Sequence, residues 1–312
     1  MSEQIQAKAA VVWKKIARAV VCCAAMAASG DAWAADARDY IPLPDRTFLF
    51  VTYAKHITGN KLYSDGNQAS ADFNLNQNLG IFRPVYYTKL GDRALYGDGG
   101  LVLDPQMLFI FGEGHVDGAA LNQNSVQASG IADPVFLATL WFVNAPKDQF
   151  WIGFTPYVTV PIGQYSSTRS LNLGSNRWAV KTEFGAVKGF GNFNVDLNVN
   201  AEFYTANDNF LNAAQQTQVR LTQNPLFGTE VHLSYDISKN WFVAADYFFA
   251  AGGETKFDGA ANNNSQLTNS VGASFFWLLG TSNQLMLQYR QDVSVRNGPS
   301  TNNFGARWAH FF

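Results

Sequence analysis

Trp178 to Tyr204 reads WAVKTEFGAVKGFGNFNVDLNVNAEFY, and its second half decides the fold. Val195, Leu197, Val199, Ala201 and Phe203 alternate with Asn194, Asp196, Asn198, Asn200 and Glu202. Successive side chains of a strand point to opposite faces, so one face here is wholly apolar and the other wholly polar. In the first half, Val180, Thr182, Phe184 and Ala186 likewise oppose Lys181, Glu183 and Gly185. A helix would scatter both sets around its cylinder. Gly191-Asn192 supplies a tight turn between the two strands. Such a hairpin fits a soluble antiparallel sheet with one wet face. It also fits the rarer transmembrane barrel, with lipid outside and a wet lumen inside.

The remainder of the chain separates these environments. The 312 residues carry a formal charge of −2 and no basic stripe, which excludes a nucleic-acid partner by charge. Charged residues make up 15%, below the roughly 25% of soluble proteins. Aromatics reach 14% with little helical periodicity. Lys8, Lys14, Lys15 and Arg18, the apolar run Ala19–Ala28 and the small-x-small triplet Ala32-Trp33-Ala34 predict a signal peptide over residues 1–34, cleaved after Ala34. Both cysteines, Cys22 and Cys23, fall in this leader. Without it the chain keeps 18 basic and 22 acidic residues, a formal −4.

Residues 35–46 read as a polar, proline-containing lead-in. Twelve strand candidates follow over residues 47–312. They lie near Thr47–Lys55, Asp72–Tyr87, Leu101–Phe111, Ile131–Phe142, Phe150–Val160, Trp178–Phe190, Phe193–Tyr204, Phe227–Tyr235, Trp241–Phe249, Leu267–Trp277, Leu285–Val293 and Asn303–Phe312. Most have the length that a tilted strand needs to cross a bilayer. The connections alternate. Those after the fourth, sixth, eighth and tenth candidates are short. Those after the first, third, fifth, seventh and ninth (His56–Ala71, Gly112–Gly130, Pro161–Arg177, Thr205–Leu226 and Ala250–Gln266) are long and polar. Thr88–Gly100 breaks the alternation. A soluble sandwich has no reason to gather its long loops at one end, whereas an outer-membrane barrel does.

The last strand sets Phe304, Ala306, Trp308, His310 and Phe312 on one face and ends on an aromatic, the mark such barrels present to their assembly machinery. Trp141, Trp151, Trp178, Trp241, Trp277 and Trp308 fall near strand ends, where an aromatic girdle belongs. The fold expected is therefore all-β: a transmembrane antiparallel up-and-down barrel of about twelve strands, with long outer loops and short periplasmic turns. Its place is the outer membrane of a Gram-negative bacterium.

Face parity sends Asp104, Gln106, Lys181, Glu183, Asp196, Glu202, Glu230, His232, Asp246, Gln288, Arg290, Asp292 and Arg307 into the lumen. Both signs interleave, as in a self-neutralising filling or a polar track for solute. The same parity directs Phe136, Phe242, Phe248 and Phe276 inward, which hints at partly apolar solutes. His232 and Ser234 share one face, as a barrel-embedded lipid-modifying enzyme would need. They would sit in the lumen, however, whereas lipid arrives from outside. Glu113, His115 and Asp117 alternate in an outer stretch and offer a weak divalent-cation pattern. Beyond the leader there is no phosphate-binding glycine loop, zinc spacing or CxxC, so no cofactor is expected.

Pro44–Phe50, Tyr63-Ser64-Asp65-Gly66-Asn67, Gly130-Ile131-Ala132-Asp133-Pro134, Val160–Tyr165 and Leu171–Trp178, in this order, resemble the outer-membrane proteins of the meta-pathway of phenol degradation family. Ala132 stands where that family usually has a glycine. The resemblance runs over nearly the whole chain after the leader. It implies a barrel porin or transporter that admits aromatic or other hydrophobic compounds, and it supplies no solute-binding residues. The residues themselves explain the Pro161–Trp178 stretch as loop architecture or as a solute-entry rim. The function expected is passive uptake of small hydrophobic or aromatic solutes, without catalysis. The partners expected are outer-membrane lipids, the solute, and the assembly machinery acting at Phe312. The alternative is a structural or surface-interaction barrel.

Overall fold

The structure, a computed structural model, describes residues 35–70, 72–118, 125–213 and 215–312. The leader and its cleavage point after Ala34 lie outside the described residues. Among the described residues, twelve antiparallel strands form the barrel. They are β1 (Phe48–Ser64), β2 (Phe73–Tyr86), β3 (Leu101–Gly118), β4 (Val135–Ala145), β5 (Phe150–Thr159), β6 (Ala179–Phe190), β7 (Phe193–Tyr204), β8 (Leu226–Ser238), β9 (Trp241–Gly252), β10 (Gln266–Leu279), β11 (Asn283–Val295) and β12 (Gly298–Phe311). Each pairs with its sequence neighbour, and β12 returns to β1 from Leu49↔Phe311 to Tyr63↔Gly298. Closure leaves no free edge, as lipid requires.

The burial pattern is that of a soluble protein turned inside out. In β7, Asn194, Asp196, Asn198 and Glu202 are buried, while Leu197, Val199 and Phe203 are each more than 40% exposed. Phe184, Phe227, Leu287, Val293 and Phe304 continue this outward apolar belt around the barrel. Trp178, Trp241, Trp277 and Trp308 face outward near strand ends, as a girdle should. Trp141 and Trp151 do not: both point inward and are buried. The Trp141 indole N–H donates to the Tyr40 carbonyl at 2.9 Å, and its ring stacks on Tyr87.

Phe136 is also corrected. It faces outward at 41% exposure. In β4 the inward positions are Val135, Leu137, Thr139 and Trp141, a parity fixed where the Thr139 N–H donates to the buried Asp104 carboxylate at 2.7 Å. The candidate strand Ile131–Phe142 is in fact two pieces. Ser125–Ile131 pairs with the upper half of β3, and β4 starts afresh after Pro134, which has no N–H for a ladder.

The long connections are placed as expected but are not loops throughout. β1 runs on to Ser64 and returns as Asn67–Ser70, and β3 runs on to Gly118. Asn207–Asn212, Thr217–Gln223, Thr255–Phe257 and Ala260–Ala261 build a four-stranded sheet at the loop end. One face of these extensions is still buried, at Ile57, Leu62, Val116, Val219 and Leu221, but polar residues and glycines such as Gly59, Asn60, Lys61 and Gly114 interrupt the apolar-polar period that marks a half-buried strand. The irregular Thr88–Gly100 connection folds against the opposite end. Thr88–Gly91 pairs with the start of β3, and Leu95, Tyr96 and Gly99 bond to the backbone of Phe142 and Asn144.

Candidate functional site

The lumen is not an empty tube. Residues 35–46, expected as a lead-in, climb into it from the turn end together with Thr47. A turn at Ala37–Tyr40, closed by Asp39 N–H to Asp36 O and Ile41 N–H to Arg38 O, sits well inside the wall. Pro42 and Pro44 then carry the chain down to the rim. Lacking N–H groups, they need no ladder partner.

Tyr40 is the centre of this plug. Its hydroxyl lies 2.8 Å from Thr155 Oγ1 and donates to Glu183 Oε1 at 2.9 Å. Its ring lies over Gly153 and Gly185, which face each other across β5 and β6. A Cβ on Gly185 would come within 2.2 Å of that ring, and one on Gly153 within 3.1 Å, so the paired glycines are its seat. The signal in the sequence was glycine at the centre of two good strands, which marks close approach of another group. Tyr40 itself sits in a stretch with no periodicity.

Charges bind the plug to the wall. Arg307 Nη1 donates to Asp36 at 2.7 Å and to Asp39 at 3.3 Å, and Arg83 Nη1 reaches Asp39 at 3.2 Å. Tyr53 donates to Asp36 at 3.1 Å. On the opposite wall, Arg38 donates to Ser234 Oγ at 2.8 Å and Asp236 at 2.7 Å, and lies 4.0 Å over the Phe242 ring. The Arg38 N–H donates to Asp196 Oδ2, and the Ala35 N–H to Glu230 Oε2 at 3.0 Å.

Most of the other inward candidates hydrogen-bond to one another or to neighbouring wall residues. Glu183 accepts from Lys181, Tyr157 and Asn200. Asp104 accepts from Gln106, and Glu202 from Tyr204. His232 Nδ1 meets Asp246 at 2.7 Å, and Ser274 donates to the same carboxylate. Asp292 accepts from Ser270 and Thr301, and Arg290 donates to Ser270 while covering Phe248. Phe242 and Phe276 stack at 4.1 Å, buried on the inner face. Lysine, arginine and histidine thus interlock with carboxylates, the self-neutralising filling that parity allowed.

The catalytic alternative finds no assembled pair. Ser234 Oγ is taken by Arg38, and His232 Nε2 lies 3.7 Å from Glu230, beyond hydrogen-bond length. Glu113 accepts from Asn78, while His115 and Asp117 pair with each other at 2.9 Å. Among the described residues no group of three or more His, Cys, Asp or Glu could hold a metal ion.

Towards the loop end the inner wall changes character. Ile57, Leu79, Ile81, Leu108, Ile110 and Leu137 form an apolar cluster, covered by Leu171 and Leu173 from the 160–178 connection. That connection is tied down by one carboxylate. Asp133 accepts from the Gly163 N–H at 2.7 Å, from the Ser175 N–H at 2.7 Å and from the Ser175 hydroxyl at 2.6 Å. A Cβ on Gly163 would meet the Ala132–Asp133 backbone at 2.5 Å, so only glycine fits there. The Gly130–Pro134, Val160–Tyr165 and Leu171–Trp178 motifs are therefore one structural node, as loop architecture predicted. At the turn end a cavity of about 230 Å³ lies between the plug and the wall. Leu43, Leu49, Val51, Val85 and Ala309 line it together with Arg38, Asp39, Arg83, Gln284 and Arg307.

An apolar belt outside, an interior of paired charges and a threaded N-terminal segment define an outer-membrane β-barrel of the channel type. The chain belongs to the family described as putative MetA-pathway of phenol degradation, whose model matches residues 58–308. The COG4313 outer membrane channel from Pseudomonas putida F1 is 30% identical, with a TM-score of 0.80 over 89% of this chain and 100% of that one. The transport unit of the autotransporter AIDA-I from Escherichia coli is 8% identical, with a TM-score of 0.52 over 96% of this chain and 99% of that one. That second likeness is one of fold alone. No curated protein matches the chain.

Proposed function

We propose that this outer-membrane channel passes small hydrophobic or aromatic solutes passively, entering along the apolar inner wall of the loop end. The observation that carries this is the cluster of Ile57, Leu79, Ile81, Leu108, Ile110 and Leu137 under Leu171 and Leu173. A pore for hydrated solutes gains nothing from an apolar wall. An aromatic solute gains about 25 cal/mol for each Å² of its surface removed from water. Further down, the cavity of about 230 Å³ beside the plug has room for a ring that needs roughly 150 Å³, against a wall that is part apolar and part charged.

The test is Leu171→Asn with Leu173→Asn, two loop positions outside the strands. Toluene entry into proteoliposomes should fall several-fold while entry of a sugar of similar size stays unchanged. Equal rates of toluene entry for both proteins would remove the apolar wall from the route. A second function is favoured by the plug itself: a structural barrel sealed by residues 35–47. It requires that neither solute enter faster than into protein-free liposomes.

A further inference from the structure

The Ala35 nitrogen is buried deep in the lumen, and what surrounds it suits a cation better than an amide. Arg38 meets β8 at Ser234 and Asp236, near its turn end, whereas Ala35 meets Glu230. Eight residues separate Glu230 from Ser238 at the end of β8, which in a tilted strand is roughly 20 Å of depth. Glu230 Oε2 lies 3.0 Å from the nitrogen. Asn198, directly across the ladder from Glu230, holds a buried side-chain oxygen with no hydrogen-bond partner, as does Asp196 two residues earlier. Four carboxylates on β7, β8 and β9 (Asp196, Glu230, Asp236 and Asp246) face Arg38 of the plug and His232. Independently, Ala32-Trp33-Ala34 immediately before this nitrogen is a leader-peptidase pattern.

We propose that Ala35 is the mature N-terminus and that its α-ammonium, held by Glu230, is the internal counter-ion that seats the plug. Water hydrolyses the Ala34–Ala35 amide: the C–N bond breaks, Ala34 keeps a carboxylate and Ala35 an ammonium. One N–H donor becomes three, on a full positive charge, 3.0 Å from an acid whose ladder partner Asn198 holds an unpartnered acceptor. Burying a carboxylate is costly unless it is paired, and the cleaved end brings Glu230 a cation within hydrogen-bond length, where His232 Nε2 stands at 3.7 Å.

The experiment uses protein extracted folded from outer membranes. Its N-terminal peptide is identified by mass spectrometry and its α-amine acylated at neutral pH, folded and then denatured. The expected N-terminus is Ala35, with acylation about tenfold slower in the folded protein, because the ammonium is buried and hydrogen-bonded to Glu230. Glu230→Gln should restore most of the lost reactivity. An N-terminus elsewhere would overturn the proposal, as would equal folded and denatured rates in the wild type. A folded Glu230→Gln protein as protected as wild type would overturn the assignment to Glu230. If that variant does not fold, the two wild-type measurements decide.

Discussion

At Tyr40 one side chain fixes where a whole segment lies. Its ring rests on Gly153 and Gly185 and its hydroxyl is shared between Thr155 and Glu183, so nothing larger than hydrogen is tolerated beneath it. Gly185→Ala should push the ring off its seat and raise the single-channel conductance in planar bilayers. Tyr40→Ala should do the same, and the double variant should match Tyr40→Ala, because both changes act on one contact. Loss of the buried ring should also lower stability by about 3 kcal/mol or more, read by urea unfolding. Asp133 plays a comparable part at the other end. With three donors converging on it, Asp133→Ala leaves the Gly163 and Ser175 N–H groups without their acceptor. The 160–178 connection should then be cut by protease many times faster, with the barrel strands intact.

At the scale of elements, the strands and the plug were not equally readable. Strict alternation in β6 and β7 and the placing of long connections at one end follow from the period of a strand, and the closed barrel bears out both. Face errors arose where parity was counted across a break. Asp133–Pro134 interrupts the chain before β4, so Phe136 turned out to face lipid and Trp141 the lumen. The plug was invisible for another reason. Residues 35–47 have no repeat, and their partners lie up to 271 positions away, as between Asp36 and Arg307. Only the glycines of β5 and β6 announced that something must approach.

Deleting residues 35–44 should leave the strand content unchanged and increase conductance, since the wall strands pair with one another independently of the segment. At the seam, the Phe312 N–H donates to Phe48 O at 2.9 Å and its ring lies 5.6 Å from Phe50. We propose Phe312 as the residue the assembly machinery reads. Its removal should lower the amount of barrel in the outer membrane several-fold, measured by heat-dependent gel mobility, while the purified chain still refolds in detergent.

The molecule as a whole divides its lumen by height. The turn end is filled by an ionic lattice woven through the plug, and the loop end offers an apolar wall beneath a tethered connection. That division fits slow passage of small apolar solutes better than free passage of hydrated ones. Twelve strands enclose only a modest interior, which side chains and inward-folded segments can narrow further. The most direct test is the rate at which toluene and a sugar of similar size enter liposomes carrying the purified, refolded wild-type protein. Acceleration of toluene alone is the result expected. Equal acceleration of both would mean a general porin, and no acceleration of either would contradict the channel for apolar solutes and leave a sealed structural barrel.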